Sequence, residues 1–221
     1  LVPFASDTAP EHGIGIRGGE IWWRGERAFS ATDVPLAGAA GLEDAMAAAA
    51  AALEYGVDGR AVVRALKGFR ALSHRLEVVA EAGEVTYIDD SKATNPHAAV
   101  AAVGGLHDVV LIAGGRSKGI DLGRMREMVP PVIGVVALGE AADEVEKVFR
   151  DLVPVERATD MTGAVKLAFE MSVPGGSVLL SPGCASLDMY ESYSARGEDF
   201  ARAVSELLQA EGIARRDDGI S

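Results

Sequence analysis

Two adjacent carboxylates, two hydroxyls, an ammonium and an amide crowd into the run Asp89-Asp90-Ser91-Lys92-Ala93-Thr94-Asn95, with Pro96 directly after it. Asparagine followed by proline is the pattern of a helix N-cap with proline at the first helical position, so local structure accounts for the end of this run. It does not account for Lys92 and Thr94. A lysine just ahead of a helix meets the positive end of the helix dipole, a poor place for a cation unless an anion lies there as well. The chemistry to expect of this run is recognition of an anionic ligand.

Two further runs carry reactive or ligand-approaching groups. Gly114-Gly115-Arg116-Ser117-Lys118-Gly119 follows an apolar stretch; its glycines let the backbone come close to a ligand, and Lys118 adds a point charge. The GxxxxGK[ST] spacing of a P-loop is not met. Ser181-Pro182-Gly183-Cys184-Ala185-Ser186-Leu187-Asp188-Met189-Tyr190 contains two residues of nucleophile type, Cys184 and Ser186, neither with a base at a diagnostic spacing. Cys184 reads as a small buried side chain, Ser186 as a hydrogen-bond donor to a carboxylate. His74, next to Arg75, reads as positional. Gly13, Gly15 and Gly18 make a literal GxGxxG, but strand-like Ile21-Trp22-Trp23 follows where a dinucleotide fingerprint needs a helix, so a hairpin is expected.

The elements that must position these runs follow from periodicity. Ile14 and Ile16 before Gly18-Gly19, and Ile21, Trp22 and Trp23 after it, predict a hairpin over residues 14–29. Strong helix formers dominate Gly41 to Tyr55 ahead of Gly56, and Asp58 can cap a second helix reaching about Leu66. Farther on, Leu76 to Val79 and Val85 to Ile88 are short β-rich runs on either side of Gly83. Apolar runs at Val109–Ala113, Ile133–Leu138 and Ser177–Leu180 then alternate with helical stretches at Pro96–Val103, Glu140–Phe149, Met161–Met171 and Glu198–Leu208. This alternation predicts an α/β fold, a Rossmann-like domain with a mostly parallel sheet over residues 77–221, behind a helical and hairpin segment over residues 1–76. In open α/β sheets ligands bind beyond the carboxyl ends of the strands, where all three runs fall.

Composition narrows the partners. The chain has 221 residues, 48% of them hydrophobic, and its net charge of -12 and pI near 4.8 argue against nucleic acid and anionic membrane, which attract basic surfaces. A lone cysteine cannot form an internal disulfide, and four scattered histidines give no zinc-ligand spacing, so no metal ligands are expected here and a reducing, cytoplasmic setting is. The apolar run Ala45–Leu53 ends at Glu54, short of the ~20 residues of a membrane span. Leu1-Val2-Pro3-Phe4 has neither an initiator Met nor a signal-peptide profile and reads as a chain entered in mid-protein, while Arg215–Ser221 reads as a frayed tail.

Taken in order along nearly the whole chain, Leu72-Ser73-His74-Arg75-Leu76-Glu77, the Asp89–Asn95 run, the Gly114–Asp121 run, Ser181–Ser186, Tyr193, Arg196-Gly197 and Phe200 resemble the C-terminal region of the Mur ligase family. The Asp90–Asn95 run resembles its D-glutamate-adding members in particular. The resemblance implies that residues 1–76 are the end of a central ATP-binding domain and residues 77–221 the D-glutamate-binding domain. It implies that Arg75, Asp90 and Asp44 lie at the nucleotide and that Lys92 is catalytic, near the substrate pocket. Thr94 and Lys118 would hold one carboxylate of D-glutamate, and Ser186 with the backbone around Tyr193 the other. A dianionic amino acid needs two separated anion sites, and such groups supply charge-assisted hydrogen bonds.

The implied reaction belongs to peptidoglycan-precursor synthesis. ATP, with Mg2+, converts the terminal carboxylate of UDP-N-acetylmuramoyl-L-alanine to an acyl phosphate, which the amine of D-glutamate attacks. The P-loop, the metal ligands and the precursor-binding domain are expected in the N-terminal and central domains, so this chain is expected to be inactive alone. The chain departs from the family pattern where a His-Asn pair and a further Asn usually open the alanine-rich helix; here stand Ala40, Gly41 and Asp44, with Asp44 left as an acceptor. Those replacements support a second expectation, a non-catalytic amino-acid or nucleotide-binding module derived from such a ligase.

Overall fold

The computed structural model describes residues 2–5, 8, 10–34, 38–69 and 72–214, so the Arg215–Ser221 tail lies outside the described residues. The chain forms two compact units, Leu1–Ala71 and Leu72–Ser221. The turn from Leu72 to Arg75 therefore folds with the second unit.

In the first unit, strands β1 (Phe4–Ala5), β2 (Ile14–Arg17), β3 (Glu20–Trp23) and β4 (Glu26–Ser30) lie side by side in that order. Gly18 and Gly19, at φ of 60° and 78°, form the β2–β3 turn, the left-handed pair that matches strand twist in a tight hairpin. A Cβ at Gly13 would strike the Pro3 backbone and one at Gly15 the Thr8 backbone, so the GxGxxG pattern serves strand packing. The expected hairpin is in fact a three-strand meander. A second tight turn at Arg24-Gly25, again with both φ values positive, sends β4 back along β3. Helix α1 (Gly38–Glu54) turns Ala45, Met46, Ala49 and Ala50 onto a core with Ile14, Ile21 and Phe29. Helix α2 (Gly59–Lys67) starts where the Asp58 carboxylate accepts from the amides of Arg60 and Ala61, at 3.0 and 3.2 Å.

The second unit holds a six-stranded sheet in the order β5-β6-β10-β7-β8-β9. Strand β5 (Glu77–Ala82) pairs antiparallel with β6 (Val85–Asp89) through a two-residue turn, Gly83-Glu84, whose residues both have positive φ. All later pairings are parallel: β7 (Val109–Gly114), β8 (Val132–Leu138), β9 (Val155–Ala158) and β10 (Ser177–Leu180). Strands β7 and β10 are buried along their whole length, as central strands covered on both faces must be. Alternation assigns the faces. Ile88, Leu111, Ala113 and Leu179 meet the side of α3 (Pro96–Ala102), a 3-10 segment at Leu122–Met128 and α4 (Ala142–Phe149). Tyr87, Val110, Ile112, Val178 and Leu180 meet α5 (Met161–Met171) and α6 (Tyr193–Ala210). Each such aliphatic side chain contributes ~1.5–3 kcal/mol on burial, which makes these two cores the main stabilising term.

The fold class is as expected, with three differences in detail. Strand β9 is an edge strand carrying Glu156 and Arg157, half-covered and therefore without a long apolar signature. The segment Leu122–Met128 winds as a 3-10 helix. Helix α6 begins at Tyr193, five residues before the expected Glu198, because the Ser192 hydroxyl caps the amide of Ala195 at 3.0 Å. Among the described residues no helix is long and apolar enough to cross a membrane.

Candidate functional site

Chain order puts β6, β7 and β10 far apart, yet sheet order makes β10 the partner of both the others. Leu180 pairs with Asp89 on one side and Ile112 on the other, so the three strands end side by side. The loops that follow them are the three runs rich in polar groups and glycine, gathered at one edge of the sheet where the connections change direction.

Hydrogen bonds lace the loops together. The Gly183 amide donates to the Ala93 carbonyl at 3.0 Å. Arg116 and Ala185 exchange amide-to-carbonyl bonds of 2.8 and 3.1 Å. Gly114 and Gly115 sit at φ of 126° and 120°, a region closed to other residues. A Cβ on Gly114 would strike the Leu138 carbonyl, and one on Gly115 the Ala185 carbonyl. Lys118 is exposed and left-handed at φ 56°, a conformation that costs of order 1 kcal/mol or more in a non-glycine residue and is found most at ligand sites.

Beneath the loops lies a buried polar layer. Asp89 accepts from the His74 ring at 2.7 Å and from the Ser91 amide at 2.8 Å. Asp90, 5% exposed, accepts from the Ser181 hydroxyl at 2.9 Å and from the Leu76 amide at 3.3 Å. Burial pushes the Asp90 carboxyl up to about 6, against the smaller lowering by its hydrogen-bond donors and Arg75. Burial also raises Asp89. Arg196, 2% exposed, is the keystone: Nε donates to the Ser91 hydroxyl at 2.9 Å, Nη2 to the Ser91 carbonyl at 2.8 Å and Nη1 to the Cys184 carbonyl at 3.1 Å. The Ser91 hydroxyl in turn donates to the Tyr193 carbonyl at 2.7 Å. Among the described residues no carboxylate bonds Arg196, and burial lowers its pKa to about 10, which still leaves it charged.

The residues singled out in the sequence distribute as follows. Arg75, Asp90, Lys92, Thr94, Lys118, Ser186 and Tyr193 all lie in the second unit, and apart from Arg75 they flank the ends of β6, β7 and β10. Lys92 and Lys118 are exposed, Thr94 is half-buried and Ser186 is buried. Arg75 acts electrostatically on Asp90. Asp44 belongs to α1 of the first unit and is exposed. Asn95 caps α3, its side chain accepting from the Ala98 amide at 3.0 Å, with Pro96 at the first helical position. Cys184 is 1% exposed, and burial drives its thiol up to about 12, so it is no nucleophile. The His74 ring is tied to Asp89 at 2.7 Å, and its backbone amide donates to the Glu77 carboxylate at 2.8 Å.

Sequence reasoning assigned no role to Arg196, Ser91 or Ser181. Arg196 had a signal: it stands in register with Phe200, Val204 and Leu208, every fourth residue of the buried face of α6, so an arginine lies on an apolar stripe.

A magnesium ion would find one group of candidate ligands among the described residues, His74, Glu77 and Asp89, with ligand atoms within 4.8 Å of one another. They do not fit it. Magnesium takes six oxygens in octahedral array, whereas this group includes an imidazole, and its carboxylates already accept from the His74 ring and from the amides of Ser91 and His74.

Residues 74–184 match the family model for the Mur ligase, glutamate ligase domain. The chain is 38% identical over 216 residues to the UDP-N-acetylmuramoylalanine--D-glutamate ligase of Syntrophotalea carbinolica, covering 96% of this chain and 48% of that protein. It is 43% identical over 199 residues to the protein of that name in Rubrobacter xylanophilus, covering 85% and 44%. The chain thus spans about half the length of the curated relatives it matches. Among solved structures it is similar to a pseudomurein peptide ligase type C from Methanothermus fervidus (TM-score 0.66, 13% identity, 88% of this chain and 41% of that one). It is likewise similar to the UDP-N-acetylmuramate-alanine ligase MurC from Thermotoga maritima (TM-score 0.60, 17% identity, 86% and 43%), and at these identities the likeness concerns the fold.

Proposed function

Because the chain belongs to the Mur ligase family, through its glutamate ligase domain, we propose that it is the amino-acid end of an ATP-dependent ligase joining D-glutamate to UDP-N-acetylmuramoyl-L-alanine in the cytoplasm. The observation that carries this reading is the convergence of three loops at the ends of β6, β10 and β7, with Lys92, Thr94, Lys118 and Ser186 around one sheet edge. The relatives named as D-glutamate ligases match across both units.

In the reaction proposed, a carboxylate oxygen of the precursor attacks the γ-phosphorus of ATP and ADP leaves. The amine of D-glutamate then attacks the acyl carbon, phosphate leaves, and the amine gives up a proton. Residues of this chain align and neutralise rather than form covalent bonds. Lys118 and Thr94 hold one carboxylate of D-glutamate, Ser186 and the Tyr193 backbone the other, and Lys92 faces the charge that develops on the phosphate. Arg75, Asp90 and Asp44 serve the nucleotide. Residues 1–76 are read as the end of a central ATP-binding domain; the 221 residues contain no GxxxxGK[ST] sequence, so the phosphate cradle is assigned to the half of the relatives' length that this chain does not span. His74, Glu77 and Asp89 do not suit magnesium, and no step is assigned to a metal.

Calorimetric titration of the chain with D-glutamate tests the pocket. Lys118→Ala and Thr94→Ala each remove a donor to a charged oxygen and weaken binding by roughly 10- to 100-fold. Unchanged affinity in both variants rules the assignment out.

A further inference from the structure

We propose that the Tyr193 side chain is a positioning residue that holds the Lys92 ammonium in place for an anion, a role separate from any use of the Tyr193 backbone. The Lys92 Nζ lies 4.0 Å from the centre of the Tyr193 ring. Among the described residues Lys92 pairs with no carboxylate. The choice of partner matters: a carboxylate would cancel the charge, whereas an aromatic face attracts the ammonium through its quadrupole and leaves the full positive charge available to a ligand.

Both halves of the contact are anchored. The Lys92 amide donates to the His74 carbonyl at 3.0 Å, while the Tyr193 carbonyl accepts from the Ser91 hydroxyl at 2.7 Å. Tyr193 opens α6, where the Ser192 cap fixes its direction. The His74 ring meets the Tyr193 ring edge-on, at a centroid distance of 6.2 Å and an interplanar angle of 76°, and is itself pinned by Asp89. The ring is thus held on one side by a hydrogen-bonded histidine and offers its face to the lysine. That the anion is the phosphate or carboxylate of a ligation reaction rests on the function proposed above; that the ring holds the lysine does not.

Two NMR readouts on the chain separate these points. In ligand-free protein, ring current shifts the ε-methylene signals of Lys92 upfield in the wild type and in Tyr193→Phe, and Tyr193→Leu abolishes the shift. Titration with inorganic phosphate, followed at Lys92, gives equal affinity for wild type and Tyr193→Phe, and a loss of roughly 3- to 30-fold for Tyr193→Leu. Rescue by phenylalanine distinguishes the aromatic face from a general structural role. Unshifted Lys92 signals in the wild type overturn the proposal without any variant having to fold. So does equal phosphate affinity in wild type and Tyr193→Leu, or an equal loss in Tyr193→Phe. If the ring-current shift is present but D-glutamate leaves the spectrum unchanged, the ligase reading fails and the Lys92–Tyr193 contact stands.

Discussion

Replacing Arg196 with alanine lowers the stability of the second unit by about 4 kcal/mol, because three buried acceptors lose their donor and a large side-chain volume is emptied. The guanidinium serves the hydroxyl and carbonyl of Ser91 and the carbonyl of Cys184, so its loss unfastens the loop after β6 from the loop after β10 and from the start of α6 together. The three acceptors are neutral, but the guanidinium also acts electrostatically on Asp188 and Asp89, which lose that attraction as well. Arg196→Lys keeps the charge but cannot span Ser91 and Cys184 at once, and costs about half as much. The exposed Arg202, paired with Asp199 and Glu206, provides the control, and its replacement has a much smaller effect because solvent screens such pairs. Melting followed by circular dichroism reads the difference as a drop of roughly 8–16 °C for Arg196→Ala. A drop no larger than that of Arg202→Ala contradicts the keystone role.

Asp90→Asn acts in the opposite direction. Burial raises the Asp90 carboxyl to about 6 in the folded chain, against ~3.9 in the unfolded one, a gap worth about 3 kcal/mol. A raised acid favours folding in its protonated form, so this contribution is complete below the unfolded pKa and is lost as pH climbs through the folded one. Wild-type stability accordingly gains from acidification between about pH 6 and pH 4 at this site. Asparagine keeps an oxygen for the Leu76 amide and can donate to the Ser181 hydroxyl, the two groups Asp90 now bonds. The variant is therefore more stable than the wild type at neutral pH, and the dependence due to Asp90 disappears. Urea denaturation at several pH values checks this. A less stable variant at neutral pH, or an unaltered dependence between the two pKa values, contradicts it.

Much of this arrangement was legible in the sequence because strong signals coincide with it. Strands β7 and β8 and the last three residues of β10 are apolar runs, and Asn95-Pro96 and Asp58 cap the helices they announce. The glycine pattern at Gly13–Gly18 could be set aside because strand residues follow it, and its glycines indeed admit close backbone packing and a tight turn. What stayed hidden depends on neighbours distant in the chain. Strand β9 is recognisable through its pairing with β8, since its own four residues include Glu156 and Arg157. The early start of α6 is set by a serine cap ahead of Tyr193-Ser194-Ala195, a stretch of modest helix propensity interrupted soon after by Gly197. The insertion of β10 between β6 and β7, which gathers the three loops, has no local signature at all. Motif resemblance supplied the grouping, and the strand order gives its physical cause.

If these loops form one receptor for a dianionic amino acid, as proposed, amide-resolved NMR titration of the chain with D-glutamate shows it. The prediction is saturable shifts with a common dissociation constant at Thr94, Lys118, Ser186 and Tyr193, on all three loops at once, and a weaker common constant in Lys118→Ala. Shifts confined to one loop, constants that differ between loops, or no saturable shift at any of them would contradict it.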